Sequence, residues 1–172
     1  RVETSDEWIR TRTGIVERRI AGAEETTATM ATEAARAALN RADISPTEVD
    51  AIIVATVTSD YLTPATACLV QATLGANRAA AFDVSAGCAG FIYALALAKM
   101  GIASGQWKVV LVVGAETLSR FTNWKDRNTC VLFGDGAGAL VLSAHEGDGG
   151  VLSTVLGADG SGADLLKIPG GG

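Results

Sequence analysis

The sequence predicts an α/β fold, in which a mostly parallel sheet carries helices on both faces. The apolar runs at residues 51–57 and 109–113 have the length and composition of strands buried on both faces. Segments with helical spacing of Ala and Leu lie between the strand-like runs, so strands and helices alternate. Two strand-like runs then follow in succession, at 138–143 and 151–156, which predicts one antiparallel edge.

Capping and turn residues place the other elements. A capping box of Thr4 and Glu7 predicts a first helix that ends at Gly14. Residues 15–20 alternate apolar and polar side chains, which is typical of an exposed or edge strand. In chain order, the remaining elements are a helix over 26–42, a helical turn at 45–48, a helix over 64–74, a strand over 79–84 and a helix over 89–103. The last two helices are apolar most of the way round, which predicts a further layer that covers them.

Composition argues against several classes of protein and binding site. The 172 residues predict one domain, residues 1–172, and the net charge of -5 argues against a general nucleic-acid binder. No uninterrupted apolar run reaches about 18 residues, so no membrane-spanning helix is expected. The three widely spaced cysteines and single histidine argue against a metal site. Unpaired cysteines without a signal peptide indicate the cytoplasm.

The segment around Cys88 carries the clearest chemical signal. The strand at 79–84 runs into a turn of small residues and then directly into the helix at 89–103, with Cys88 at the turn. This order is that of a nucleophile elbow, in which Ala86, Cys88 and Gly90 take the places of Gly, Ser and Gly. The free N–H groups and dipole of a helix N-terminus favour a thiolate and could stabilise an oxyanion.

Spacing alone leaves a second interpretation open. A small buried cysteine that fills a tight turn would give the same pattern. Packing is the preferred interpretation for Cys68 and Cys130, which lie within a helical and a strand-like run. His145 lies in a polar turn and is interpreted as a solvated residue.

Several motifs that occur in order along the chain give it a family resemblance. As a set, they make the chain resemble the N-terminal half of ketoacyl-ACP synthase III, a condensing enzyme of the thiolase fold. The motifs are TSDEWI at 4–9, TRTGI at 11–15, FDV at 82–84, GCAG at 87–90, Asp126-Arg127 and FGDGAG at 133–138.

The resemblance implies a fold and a reaction. The fold would be the first thiolase-like half, a mixed, mostly parallel five-stranded sheet, and the enzyme would be a homodimer. Acyl-CoA would acylate Cys88, and malonyl-ACP would lose carbon dioxide and attack the thioester in a Claisen condensation. Acyl-CoA would be a substrate, and no tightly bound cofactor is implied. The family's catalytic His and Asn, and its first strand, have no counterpart here, so the chain is expected to be an inactive half by itself.

The same resemblance assigns residues to CoA. It places Trp8 and Arg127 on either side of the adenine and Arg12 at the phosphates, where stacking planes and a guanidinium fork are suitable. Thr4 and Thr13 would line the same tunnel mouth. Without the resemblance, Trp8 would be interpreted as a core residue and the arginines as a solvated face.

The resemblance also assigns an acyl pocket. Val131, Leu132, Phe133 and Leu166 fall where the family builds the pocket, although ordinary core packing would explain them too. Thr63 takes a position where some members carry a bulky Phe across the dimer interface, which predicts room for chains longer than acetyl.

Two other functions stay open at this stage. The first is a different acyl-CoA enzyme of the thiolase fold, against which Trp8, Arg12 and Arg127 argue. The second is a non-catalytic half that serves only as a structural or partner-binding module.

Overall fold

The computed structural model describes residues 2–147 and 149–170. Their strands form one sheet with the order β2-β1-β3-β4, and the bounds are β1 Ala51–Ala55, β2 Ala80–Val84, β3 Val109–Thr117 and β4 Asp135–Ser143. β1 pairs in parallel with β2 and β3, and β4 pairs antiparallel with β3. The α/β class and the antiparallel edge are therefore confirmed. The prediction of five strands is wrong for the part of the chain described, in which the sheet has four.

The helices connect the strands and cover the sheet. Their bounds are α1 Asp6–Thr13, α2 Thr27–Ala42, α3 Thr66–Leu74, α4 Gly90–Ala103 and α5 Arg127–Cys130. Short 3₁₀ turns occupy Pro46–Glu48, Gly87–Ala89, Leu118–Arg120 and Gly160–Gly162.

The buried strands pack helices on both faces because alternate side chains point to opposite sides. On one face, Ile52 and Val54 of β1 join the core that includes α2 and α3. On the other face, Ile53 and Ala55 join a second core that includes α4. Both faces of β1 are therefore covered, which is why the run at 51–57 is almost continuously apolar.

Two predicted strands are absent. Residues 15–20 and 151–156 form no ladder and are irregular. The side chain of Val155 is 92% exposed, so the apolar alternation there faces solvent rather than a core. Instead of pairing with β4, this segment lies on α4, where Lys99 donates to the carbonyl of Leu152 at 2.8 Å.

Side chains from distant strands and loops cap two of the helices. The carboxylate of Asp60 accepts from the amides of Thr27 and Ala28 at the start of α2, at 3.1 and 2.8 Å. Asp83, at the end of β2, accepts from the first amides of α3 at 2.7 and 2.8 Å. Both caps satisfy N–H groups that a helix start leaves without partners, and both fix loops at the carboxyl edge of the sheet.

The first helix begins one residue later than the capping box predicted. The hydroxyl of Ser5, not Thr4, accepts from the amide of Trp8 at 3.1 Å. The predicted end at Gly14 is confirmed, because this glycine adopts the left-handed conformation with φ of 71°.

Asp135 links the N-terminal segment to the sheet. Its carboxylate accepts from the amide of Ala21 at 2.7 Å and from the amide and hydroxyl of Ser119 at 2.8 and 2.6 Å. Burial raises the pKa of Asp135, but hydrogen bonds from Ser119 and Ala21 outweigh burial and hold the pKa below its usual range.

The stability that Asp135 contributes is therefore expected to depend on pH. A carboxyl whose pKa is lowered by folding stabilises the fold above its unfolded pKa of about 4, and this contribution is lost as pH falls through the folded pKa. Asp135→Asn should cost about 2 kcal/mol at neutral pH and flatten the pH dependence below pH 4. Urea unfolding from pH 7 to pH 3 measures both effects. Equal acid sensitivity of the variant and the original protein would contradict this assignment.

Candidate active site

Cys88 lies in the turn that joins β2 to α4. It occupies the middle of the 3₁₀ turn Gly87–Ala89 and is exposed, whereas Cys68 is half-buried and Cys130 is buried. Gly87 has φ of 53°, a conformation that residues with a side chain seldom adopt, so the glycine permits the sharp turn before the thiol. The alternative of a buried, space-filling Cys88 does not agree with this exposure.

The start of α4 has N–H groups that no side chain caps. The N-cap residue of α4, Ala89, provides no acceptor, and the 3₁₀ turn that contains Cys88 also lacks a side-chain cap. In contrast, a side chain caps α1, α2 and α5, and Asp83 caps α3. The amide of Gly90 donates to the carbonyl of Gly87, so the donors left for a thiolate or an oxyanion near Cys88 are the other uncapped amides of this helix start.

The turn rests directly on the ends of two strands. A Cβ atom placed on Gly90 would lie 3.3 Å from the Cβ of Ala55 and 3.8 Å from the carbonyl oxygen of Val84. A side chain at position 90 would make a tight contact with Ala55, so α4 begins close to the ends of β1 and β2. Cys88 is thus held at the carboxyl edge of the parallel strands, where open α/β sheets bind their ligands.

A second group of predicted site residues surrounds one indole. The guanidinium carbon of Arg127 lies 4.3 Å from the ring centroid of Trp8, and that of Arg12 lies 5.8 Å from it. Trp8 is half-buried, and both arginines are exposed. The structure therefore brings together Trp8, Arg12 and Arg127, three of the five residues assigned to CoA.

Trp8 and Arg127 are in direct contact in this arrangement. A purine stacked between them would need about 7 Å between the two planes, which is two contacts of about 3.5 Å. Arg127 must therefore move from the indole before an adenine can enter between them. Its position at the first residue of the four-residue helix α5, with an exposed side chain, leaves it free to do so.

The two predicted threonines differ in their surroundings. Thr4 lines a cavity of about 310 Å³ together with Ile9, Trp124 and Val131. The hydroxyl of Thr13 instead donates to the carbonyl of Ile9 at 2.8 Å and accepts from the amide of Ile15 at 3.0 Å. It is thus occupied in ending α1.

The residues assigned to the acyl pocket do not all lie at one cavity. Val131 is buried against the cavity that Thr4 also lines, and Phe133 is half-buried. Leu132 and Leu166 are 47% and 60% exposed, and Thr63 is exposed on the loop before α3. Cys88 does not line this cavity.

Sequence reasoning missed the polar residues that support the site. Glu116 accepts from the amide of Val57 at 2.9 Å and from the hydroxyl of Thr58 at 2.5 Å. The sequence carries a signal for this contact. Thr56 and Thr58 follow the apolar run of β1, and Glu116 ends that of β3, so parallel pairing brings them to one edge.

Residues 2–147 and 149–170 lack two features, a membrane-spanning helix and a cluster of metal ligands. No helix there is long and apolar enough to cross a membrane. Nor do three or more His, Cys, Asp or Glu residues cluster there as metal ligands would.

Comparison with known proteins gives a consistent family. Residues 82–160, which include Cys88 and the start of α4, match the family model of 3-oxoacyl-[acyl-carrier-protein] synthase III. Beta-ketoacyl-[acyl-carrier-protein] synthase III of Caldanaerobacter subterraneus is 59% identical over 171 residues, which are 99% of this chain and 52% of that protein. The enzyme of the same name from Xylella fastidiosa strain 9a5c is 58% identical over 168 residues, 98% of this chain and 52% of that protein.

Solved structures agree with the sequence comparison. The synthase III of Thermus thermophilus superposes with a TM-score of 0.92 at 51% identity, over 97% of this chain and 52% of that one. The priming β-ketosynthase of the R1128 polyketide pathway superposes with a TM-score of 0.89 at 41% identity, over 95% of this chain and 48% of that one. The chain thus spans about half the length of the relatives it matches.

Sequence and fold agree over nearly all of the residues, and the motif around Cys88 lies within the matched region. The chain is therefore similar, along nearly all of its length, to about half of the length of the 3-oxoacyl-[acyl-carrier-protein] synthase III enzymes.

Proposed function

We propose that this chain is part of an acyltransferase that condenses acyl-CoA with malonyl-ACP to give 3-oxoacyl-ACP, and that Cys88 is its nucleophile. The observation that carries the proposal is the exposed thiol of Cys88 beside the uncapped start of α4. Relatives that carry the synthase III name support the choice of reaction.

The first half of the reaction is transfer of the acyl group to Cys88. The thiolate attacks the thioester carbonyl of acyl-CoA, and the carbonyl electrons move onto oxygen. Amide N–H groups of the Cys88 turn can donate to that oxyanion. The tetrahedral intermediate then collapses, the bond to the CoA sulfur breaks, and the CoA thiolate leaves and takes up a proton.

The second half forms the carbon–carbon bond. Malonyl-ACP loses carbon dioxide, the resulting enolate attacks the acyl-Cys88 carbonyl, and the Cys88 thiolate is released with 3-oxoacyl-ACP. The family uses a His and an Asn at this step, and we expect them to be supplied by further sequence of the same polypeptide or by another chain. The chain's own contribution is the nucleophile and its turn.

The group around Trp8 is suited to holding acyl-CoA. The indole and the Arg127 guanidinium offer two planes for the adenine once they separate, and Arg12 adds a positive charge close to the indole. We further propose a homodimer without a tightly bound cofactor, as the family resemblance implies, and a cytoplasmic location, which the unpaired cysteines favour.

The proposed reaction is tested by incubating the full-length protein with acetyl-CoA and malonyl-ACP. Mass spectrometry of the carrier protein is expected to show 3-oxobutyryl-ACP, and none should form without acetyl-CoA. Carrier protein that stays as malonyl-ACP, or is only decarboxylated to acetyl-ACP, would contradict a condensing activity.

Thr63 is expected to widen the range of acyl chains. Thr63 is exposed, and its small side chain would fill little of an acyl pocket that this position reaches across the proposed dimer interface. Thr63→Phe should lower kcat/KM for octanoyl-CoA about tenfold or more relative to acetyl-CoA, because an added ring that overfills a pocket costs about 1–3 kcal/mol. Competition between the two substrates measures the ratio. A strict acetyl preference before the substitution would contradict the expectation.

A further inference from the structure

The loop after β1, residues 56–63, contacts β2 and α2 and carries Thr63. It begins beside β2, where the amide of Thr56 donates to the carbonyl of Val84 at 3.2 Å. In its middle, Asp60 caps α2. It ends at Thr63, on the exposed side before α3.

Glu116 holds the first three residues of this loop. Its Oε1 accepts from the amide of Val57 at 2.9 Å, and its Oε2 accepts from the hydroxyls of Thr58 and Thr56 at 2.5 and 3.4 Å. Both carboxylate oxygens are therefore used on consecutive residues. Hydrogen bonds to a charged acceptor are roughly twice as strong as neutral ones.

Thr58 extends this network into the interior. Its hydroxyl accepts from the amide of Thr117 at 2.8 Å, and its carbonyl accepts from the hydroxyl of Thr27 at 2.6 Å. Thr58, Thr117 and Thr27 are all buried. A buried polar network is rigid when each group has its partner, and removal of one acceptor leaves several donors unpaired.

The network reaches the nucleophile through two contacts. The loop's first amide, at Thr56, fixes the carbonyl of Val84, which is the last residue of β2 before the Cys88 turn. A Cβ atom placed on Gly90, two residues after Cys88, would meet that same carbonyl and Ala55, so the start of α4 lies close to both. The backbone on both sides of Cys88 thus rests on atoms that the loop holds in place.

We propose that Glu116 is a positioning residue, which orients the Cys88 turn for acyl transfer by holding Thr56, Val57 and Thr58. This inference rests on the proposed function of Cys88. Glu116 itself need not touch the substrate. Its effect passes through the Thr56 amide and the Val84 carbonyl.

The test compares two reactions of the same thiol in the full-length protein. Acyl transfer from acetyl-CoA in a single turnover requires an oriented sulfur and aligned amides, whereas alkylation by iodoacetamide requires only an accessible sulfur. Glu116→Gln should slow acyl transfer about 10- to 100-fold, since small displacements cost this much in oriented reactions. Alkylation of Cys88 should change little, and Cys68 and Cys130 should stay as protected as before.

Position 58 provides a matched pair of variants. Thr58→Ser keeps the hydroxyl that donates to Glu116 and should retain acyl transfer, whereas Thr58→Val keeps the shape, loses the hydroxyl and should resemble Glu116→Gln. Asp60→Asn is the control, because it loosens the same loop at α2 without touching the Val84 carbonyl. It should lower the unfolding temperature but not the acyl-transfer rate.

Each contrary result has one meaning. Wild-type acyl transfer in Glu116→Gln, or an equal loss in Asp60→Asn, would overturn the positioning role and leave the proposed function intact. Equal rates for Thr58→Ser and Thr58→Val would also overturn it. If the original protein is never acylated at Cys88, the proposed function fails, and the role of Glu116 fails with it.

Discussion

Replacement of Cys88 by serine is expected to abolish condensation. A serine hydroxyl at this position has no partner base in the described structure, and it is a far weaker nucleophile than a thiolate. The rate of 3-oxoacyl-ACP formation should fall by at least about a thousandfold. A steady-state assay of the full-length protein measures the loss.

Cys68→Ser provides the matched control. Cys68 lies half-buried in α3, and its thiol faces the carbonyl of Ala81 at 3.7 Å, so its role is packing. This variant should keep nearly full activity and a similar unfolding temperature. If instead Cys68→Ser loses the activity and Cys88→Ser keeps it, the assignment of the nucleophile is wrong.

Removal of the indole at Trp8 is expected to have the second largest effect. The indole offers a stacking face for a base, and the guanidinium carbon of Arg127 lies 4.3 Å from the centroid of its ring. Stacking of a base on an aromatic side chain contributes about 1–3 kcal/mol, so Trp8→Ala should raise the KM for acetyl-CoA about 10- to 100-fold. The rate at saturation should change little, because the adenine is remote from the reacting carbonyl.

A shortened substrate provides the control for Trp8. Acetyl-pantetheine carries the same thioester but has no adenine and no nucleotide phosphates. The original protein should prefer acetyl-CoA to acetyl-pantetheine, and Trp8→Ala should lose most of that preference. Should the variant keep its full preference for acetyl-CoA, adenine would bind elsewhere.

Local patterns were sufficient for the elements that are buried on both faces. The apolar runs of β1 and β3 predicted strands because strand burial leaves almost no polar position there. The turn at Cys88 could also be predicted, because small residues between a strand and an apolar helix favour a sharp strand-to-helix turn.

Elements that depend on a distant partner could not be predicted from local sequence. Residues 15–20 and 151–156 have the alternation of strands, but a strand also needs a neighbour to pair with, and periodicity does not supply one. The caps from Asp60 and Asp83 were missed for the same reason. Each contacts a helix start that is 17 or more residues away.

The same distinction applies to the candidate site, in which residues of local motifs were predicted and a residue that acts through distant contacts was not. Cys88, Trp8, Arg12 and Arg127 were named from motifs, and the last three do meet around one indole. Glu116 was not named, because a glutamate at a strand end shows its role only when parallel pairing brings Thr56 and Thr58 beside it. That role belongs to the topology of the sheet rather than to a local motif.

The central claim is that the Cys88 thiol accepts the acyl group. The direct measurement is peptide mass spectrometry after the full-length protein has reacted with acetyl-CoA without malonyl-ACP. We expect the peptide with Cys88 to gain the mass of one acetyl group, to lose it on treatment with hydroxylamine, and the peptides with Cys68 and Cys130 to stay unmodified. An unmodified Cys88 peptide in a protein that still forms 3-oxoacyl-ACP would contradict the claim.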